Sequence, residues 1–229
     1  PEINKIIPDL AKLPWTGSAQ CLVTKCDNGI DIAISSNIPY VPADFRNAAI
    51  KLPAIRVSWN QKILKIEKQP IVSFDDTQVE YTVGAFLQRS IEGANKLRNM
   101  VVEYAKDSKS VGDLFCGLGN FTFALNADGF DIVGTGVKRD LFKNPLTVGM
   151  LKKYDCVVMD PPRAGAEKQC KELAKSEVKR IIYVSCNPIT FSTDAKIVRN
   201  AGYEIKKLIP VDQFVGSNHW ELFCVFDRQ

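Results

Sequence analysis

Four short segments of this 229-residue sequence combine reactive residue types with spacings that would aim them. Ser185-Cys186-Asn187-Pro188 follows the apolar run RIIYV, so its thiol comes where a strand ends and a proline stiffens the turn. Asp160-Pro161-Pro162-Arg163 follows CVVM. Two prolines cannot continue a ladder, so the chain must leave the sheet there with a defined backbone. That turns Asp160 and Arg163 toward the space above the strand ends. In DLFCGLGNF (113–121), Gly117 and Gly119 allow a sharp turn and a close approach of backbone to ligand. The helix start behind them favours polar or anionic groups. His219 and Glu221 stand where the loop DQFVGSN enters ELFCVF, and strand alternation puts both on one face. A thiol can act as nucleophile, and a desolvated carboxylate can act as proton acceptor.

Each segment also has a plainer explanation. The GxG can be a tight turn that needs glycine only to pack, and Thr122 stands where a GxGxxG dinucleotide fingerprint needs its third glycine. Asp160 and Arg163 can be solvated charges on a rigid turn. His219 and Glu221 can be ordinary strand-end residues. Most cysteines in such a chain are packing residues, and Cys21, Cys116, Cys156, Cys170 and Cys224 are read so. For Cys186 the strand-end position leaves packing and chemistry evenly matched. Seven cysteines without a CxxC pair indicate free thiols rather than a disulfide framework. With a single histidine, no metal site is expected.

The elements that would position these groups follow from periodicity. AQCLVTKC and IDIAIS flank Asp27-Asn28-Gly29, a tight-turn signal, and suggest a hairpin. AIRVSW and KILKIE, separated by Asn60-Gln61, suggest a second, and Pro42 could open a helix through Leu52. Residues 1–78 thus read as a small strand-rich module. From Ile91 to Tyr104, apolar residues recur at helical spacing. Strands VGDLF, FDIVGT, DCVVMD and RIIYVS then alternate with helices starting near 121, 166 and 190. Alternating βα units imply a mainly parallel α/β sheet over residues 79–229. YEIKKLI and ELFCVF, with no helix between them, should close it as an antiparallel edge hairpin.

Composition agrees with a globular protein: 45% of residues are hydrophobic, and the formal net charge is +4. That charge is compatible with an RNA partner without requiring one. No apolar run approaches the roughly 20 residues of a membrane-spanning helix. Residues 1–20 lack the pattern of a signal peptide. A cytoplasmic location, with no membrane partner, is the expectation.

In combination, FLQ (86–88), DLFCGLGNF, DPPRAG (160–165), SCNP and DQFVGSNHWE (212–221) resemble the RNA 5-methyluridine methyltransferases, S-adenosylmethionine-dependent enzymes of uracil carbon 5. The resemblance covers roughly residues 80–229 and implies a class I, Rossmann-like methyltransferase sheet. It implies Cys186 as nucleophile and Glu221 as base. It places Gln88, Phe115, Asn120 and Asp160 around S-adenosylmethionine or the target base, beside Gly117 and Gly119. Asp140, in VKRDLF, matches a position that approaches the adenine, and Phe86, Arg163 and His219 would face the substrate. The partner implied is tRNA or ribosomal RNA.

The sequence departs from that family in three places. With FDIVGT as the second strand, Gly136 stands where the family holds the cofactor ribose with an acid. Only residues 136–154 then separate it from DCVVMD, so one βα unit is expected to be missing. The RNA-binding barrel and four-cysteine iron–sulfur site of many relatives are not visible; Cys21 and Cys26 cannot supply a cluster. A degenerate RNA-binding protein with an impaired cofactor site is therefore the alternative. A methyltransferase of exocyclic amines fits less well, because that chemistry needs no cysteine.

Overall fold

The computed structural model describes residues 2–88, 90–212 and 220–229, and the chain divides into two compact units, 1–85 and 86–229.

The amino-terminal unit contains α1 (Glu2–Ala11), β1 (Ala19–Cys26), β2 (Gly29–Ser36), α2 (Ala43–Ala49), β3 (Arg56–Trp59), β4 (Lys62–Ile66), β5 (Ile71–Phe74) and β6 (Thr77–Glu80). Both expected hairpins form. The tight turn joins β1 to β2, and Asn60 and Gln61 reverse the chain between β3 and β4 with positive φ angles of 45° and 69°. The sheet runs β1-β2-β3-β4, with β2 and β3 parallel. Helix α1 and the β5–β6 hairpin were not foreseen, and α2 is shorter than the 42–52 reading. Phe45 anchors the core, edge-on to Trp15 at 5.0 Å and to Trp59 at 4.8 Å. Cys21 is exposed on β1, which corrects its reading as a packing residue.

The second unit comprises α3 (Ile91–Ala105), β7 (Val111–Leu114), α4 (Asn120–Leu125), β8 (Asp128–Asp131), β9 (Val137–Lys138), α5 (Val148–Leu151), β10 (Cys156–Met159), α6 (Glu167–Ala174), β11 (Arg180–Ser185), α7 (Pro188–Asn200), β12 (Tyr203–Val211) and β13 (Glu221–Arg228). Its sheet has the order β12-β13-β11-β10-β7-β8-β9. Strands β7 to β11 pair in parallel among themselves, whereas β13 is antiparallel to both β11 and β12. The closing hairpin is therefore present, with the final strand inserted one place in from the edge.

Alternation along the central strands explains the layers. Val157, Met159, Ile181 and Tyr183 pack on one face with Leu151, Leu173 and Phe191. Cys156, Val158, Ile182 and Val184 pack on the other with Leu97, Val101 and Phe121. Strands buried on both faces must be apolar throughout, as CVVM and IIYV are.

The second strand ends earlier than its sequence suggests. FDIVGT is not a strand to its end: β8 stops at Asp131, and the chain returns as β9 at Val137. Phe130 pairs with Val137 and Asp131 with Lys138, in parallel, across a connection of only five residues, 132–136. Parallel neighbours ordinarily need a crossover of about a dozen residues or more. The seven-strand order is thus complete, and what is short is the β8–β9 crossover rather than a whole strand. Strand order reverses between β7 and β10, which opens a crevice beyond their carboxyl ends.

Candidate active site

Three turns converge at these carboxyl ends. Strand β11 pairs antiparallel with β13 down to Ser185↔Leu222. Cys186 and Glu221 are each one residue past that pair, on neighbouring strands at the same end of the sheet. Cys186 is half-buried, and Glu221 is only 2% exposed. Asp160 follows β10, next to β11 in the sheet, and its amide approaches Leu114 O at the end of β7.

Burial raises the Glu221 carboxyl above its ordinary value, with Arg163 pulling the other way. Glu221 Oε2 is buried and has no hydrogen-bond partner among the described residues. Asp160 is raised well above the carboxylate range by burial, then by the charges of Glu221 and Asp113. The Cys186 thiol is raised by burial and by Glu221 and Asp160, while Arg163 lowers it. Neighbouring negative charge therefore acts on Asp160 and Cys186, burial alone lifts Glu221, and Arg163 pulls Cys186 and Glu221 the other way.

The glycine-rich turn follows β7 with positive φ at Phe115, Gly117 and Gly119. Asp113, fully buried in β7, accepts from Thr122 Oγ1 at 2.6 Å, and burial lifts it to about 7. Asn120 is half-buried at the start of α4. The Phe115 ring lies 5.5 Å from that of Phe142, next to the turn capped by Asp140. Asp140 accepts from the amides of Phe142 and Lys143 just beyond β9. Gln88 and Phe86 precede α3; Phe86 is 70% exposed, and Gln88 Oε1 is buried without a partner among the described residues. His219 lies outside the described residues. The fold thus assembles Cys186, Glu221, Asp160 and the glycine turn, while no hydrogen bond ties Phe86 or Gln88 to them among the described residues.

Asp131 was missed by the sequence reading, which looked for an acid at Gly136. The available signal was an acid straight after the buried Phe130. Asp131 Oδ2 accepts from Gly117 N at 2.9 Å, and Oδ1 accepts from Ile132 N at 2.6 Å and Val133 N at 3.1 Å. The short connection lies against the same turn. Thr135 N donates to Gly117 O, and a Cβ at Gly134 would come within 1.8 Å of that oxygen. With φ at +109°, position 134 is closed to any other residue twice over.

This donor set fits one end of S-adenosylmethionine. Buried carboxylates, of which Glu221 and Asp113 raise Asp160, with Asp113 Oδ1 and Glu221 Oε2 unpartnered among the described residues, suit a cation. An ammonium and a sulfonium carry such charge. At Gly117 an added Cβ would meet nothing within 4 Å, so the turn leaves room for a ligand. The nucleoside end is less well served, because Asp131 already serves three backbone amides and Asp140 caps its own turn.

Known proteins resemble this chain in sequence and in fold. Residues 138–229 match the family described as tRNA (Uracil-5-)-methyltransferase. An uncharacterised RNA methyltransferase of Agrobacterium fabrum is 38% identical over 76% of this chain and 47% of its own length. A 23S rRNA (uracil(1939)-C(5))-methyltransferase of Shewanella halifaxensis is 32% identical over 70% of this chain and 42% of its own. The chain thus spans about half the length of these relatives. Among solved structures, a Pyrococcus abyssi tRNA (uracil-54, C5)-methyltransferase in complex with S-adenosyl-L-homocysteine superposes with a TM-score of 0.72. That match covers 98% of this chain and 64% of the other at 20% identity, and it shows the class I methyltransferase fold.

Proposed function

Through residues 138–229 this chain belongs to the tRNA (uracil-5-)-methyltransferase family, and on that footing we propose that it transfers a methyl group from S-adenosylmethionine to carbon 5 of a uridine in tRNA or ribosomal RNA. The observation that carries the reading is the placement of Cys186 and Glu221 at neighbouring strand ends, with Asp160 close to Glu221 and Asp113.

The residues have distinct tasks. Carbon 5 of uracil is a poor nucleophile, and attack of the Cys186 thiolate at carbon 6 makes it enolate-like and able to accept a methyl group. When bound, S-adenosylmethionine supplies that methyl as an electrophile on a sulfonium. Gly117, Asp113 and Asp160 would receive its cationic end. Glu221, raised by burial, is suited to take the hydrogen from carbon 5, after which the Cys186–carbon 6 bond breaks and the thiolate leaves. Arg163 counters the negative field at the thiol. The target base must leave its stack to reach Cys186. A cytoplasmic site of action agrees with such a substrate, and no helix among the described residues is long and apolar enough to cross a membrane.

One observation supports a second reading. The 132–136 connection packs on the glycine turn, and it favours an RNA-binding protein whose cofactor site is impaired. RNA containing 5-fluorouridine separates the two in the presence of S-adenosylmethionine. Fluorine cannot leave as a proton does, so an active protein forms a complex that survives denaturing electrophoresis. Absence of that complex, with RNA binding retained, selects the second reading.

A further inference from the structure

The loop that carries Arg163 is seated on the helix that follows Cys186. Asn187, the N-cap of α7, donates from Nδ2 to Arg163 O at 2.9 Å. Thr190 Oγ1 lies 3.2 Å from the same carbonyl and 3.2 Å from Asn187 O, so its single proton is available to either. One turn further on, Asp194 Oδ2 accepts from Ala166 N and from the Tyr183 hydroxyl, both at 2.6 Å. Asp194 is 2% exposed, and Tyr183 belongs to β11, whose end leads into Cys186. Positions 187, 190 and 194 share one helix face by their spacing. Contact with that face is close: at Gly165, with φ at +75°, a Cβ would come within 2.8 Å of Asp194 Oδ2 and 2.9 Å of Thr190 Cβ.

We propose that Thr190 and Asp194 are positioning residues for the nucleophile, holding residues 163–166 on α7 so that the Arg163 charge stays beside Cys186. The inference rests on Cys186 being the nucleophile of the reading above. A plain tether would need only to keep the loop folded. This one links the cation to the thiol through the turn that bears the thiol, and so fixes their separation. The charges facing Cys186 are Glu221 from β13, Asp160 after β10, and Arg163 from the seated loop. The first two disfavour the thiolate and Arg163 favours it, so small movements of the loop alter a balance.

The test reads the thiol and requires no methyl transfer. Alkylation of Cys186 by iodoacetamide, a neutral reagent, is followed against pH by mass spectrometry of the peptide that contains it. Thr190→Val keeps the side-chain shape and removes the donor; it should move the alkylation midpoint upward by about half a pH unit or more. Thr190→Ser restores the hydroxyl and should restore the midpoint. In an Arg163→Met background, Thr190→Val should add no further shift, because the charge being positioned is gone. Asp194→Ala should act in the same direction, but the Thr190 series decides, since it leaves the buried carboxylate in place. An unmoved midpoint in Thr190→Val, failure of Thr190→Ser to restore it, or an equal shift without Arg163 would each overturn the proposal. Absence of methylation by the unaltered protein, with these midpoints behaving as stated, would sink the enzymatic reading and leave the placement of Arg163 beside Cys186 intact.

Discussion

The two halves of the second unit's sheet treat their strand ends differently. On the β10–β11–β13 side, strands have apolar centres buried on both faces, and their ends present Asp160, Cys186 and Glu221 to one space. Glu221 Oε2 there, and Asp113 Oδ1 on the adjoining β7, have no partner among the described residues. On the β8–β9 side, polar groups are turned inward on the chain. Asp131 serves three amides, Asp140 caps a local turn, and residues 132–136 lean on the glycine loop. A rigid scaffold can hold unsatisfied groups ready for a ligand, because its packing determines where they sit. Where the crossover is short, the same kinds of groups are used to close the backbone.

The largest expected effect breaks the first side. Cys186→Ala should abolish methylation, by a factor on the order of a thousand or more, and should abolish adduct formation with 5-fluorouridine RNA. Glu221→Gln should leave attack and methyl transfer possible and accumulate a covalent protein–RNA complex, read as a shifted band on a denaturing gel. Retained methylation in Cys186→Ala would remove the reason for distinguishing the two halves at all.

The second side is probed by backbone strain. Gly134→Ala places a Cβ 1.8 Å from Gly117 O at φ +109°, and urea unfolding should show a loss of more than about 3 kcal/mol, or no soluble protein. Gly117→Ala meets nothing within 4 Å, so at φ +53° its cost should be only about 1–2 kcal/mol. Its main effect should be on ligand binding. Equal stability of the two variants would show that the 132–136 connection does not sit on the turn.

A smaller effect sharpens the cofactor comparison. With Asp131 committed to backbone, S-adenosylmethionine should bind some tenfold to a hundredfold more weakly than to a site that keeps a free ribose acceptor. Calorimetry on this protein showing low-micromolar affinity would contradict that. Asp131→Asn should chiefly lower stability, by about 1–3 kcal/mol, through the amides it serves.

The last effect is a pH dependence. Asp113 is raised from 3.8 to about 7, so the fold prefers it protonated. Its contribution to stability is full below about pH 4 and is lost as pH rises through about 7. Asp113→Asn keeps an acceptor for Thr122 and should flatten the stability profile between those values, as followed by urea midpoints. An unchanged profile would mean that Asp113 is ionised at no cost.

The sequence by itself determined most of the positions at which chemistry is available. CVVM and IIYV had to be buried strands because they are apolar runs, and proline after each forced a turn that exposes Asp160 or Cys186 at the same end of a parallel sheet. Such signals are local, so they survive without knowledge of the partner strands. Tertiary structure alone decided where β8 stops. FDIVGT has the composition of a strand, but a five-residue parallel connection requires its last residues to bend back, and the Gly117 amide and carbonyl receive them. It likewise decided that Asp131 rather than Gly136 ends the strand. The seating of residues 163–166 on Asn187, Thr190 and Asp194 was also invisible, because three side chains spaced along a helix acquire a common task only when a loop distant in sequence packs against them. Strand burial is encoded residue by residue, whereas the satisfaction of backbone groups depends on which segments meet.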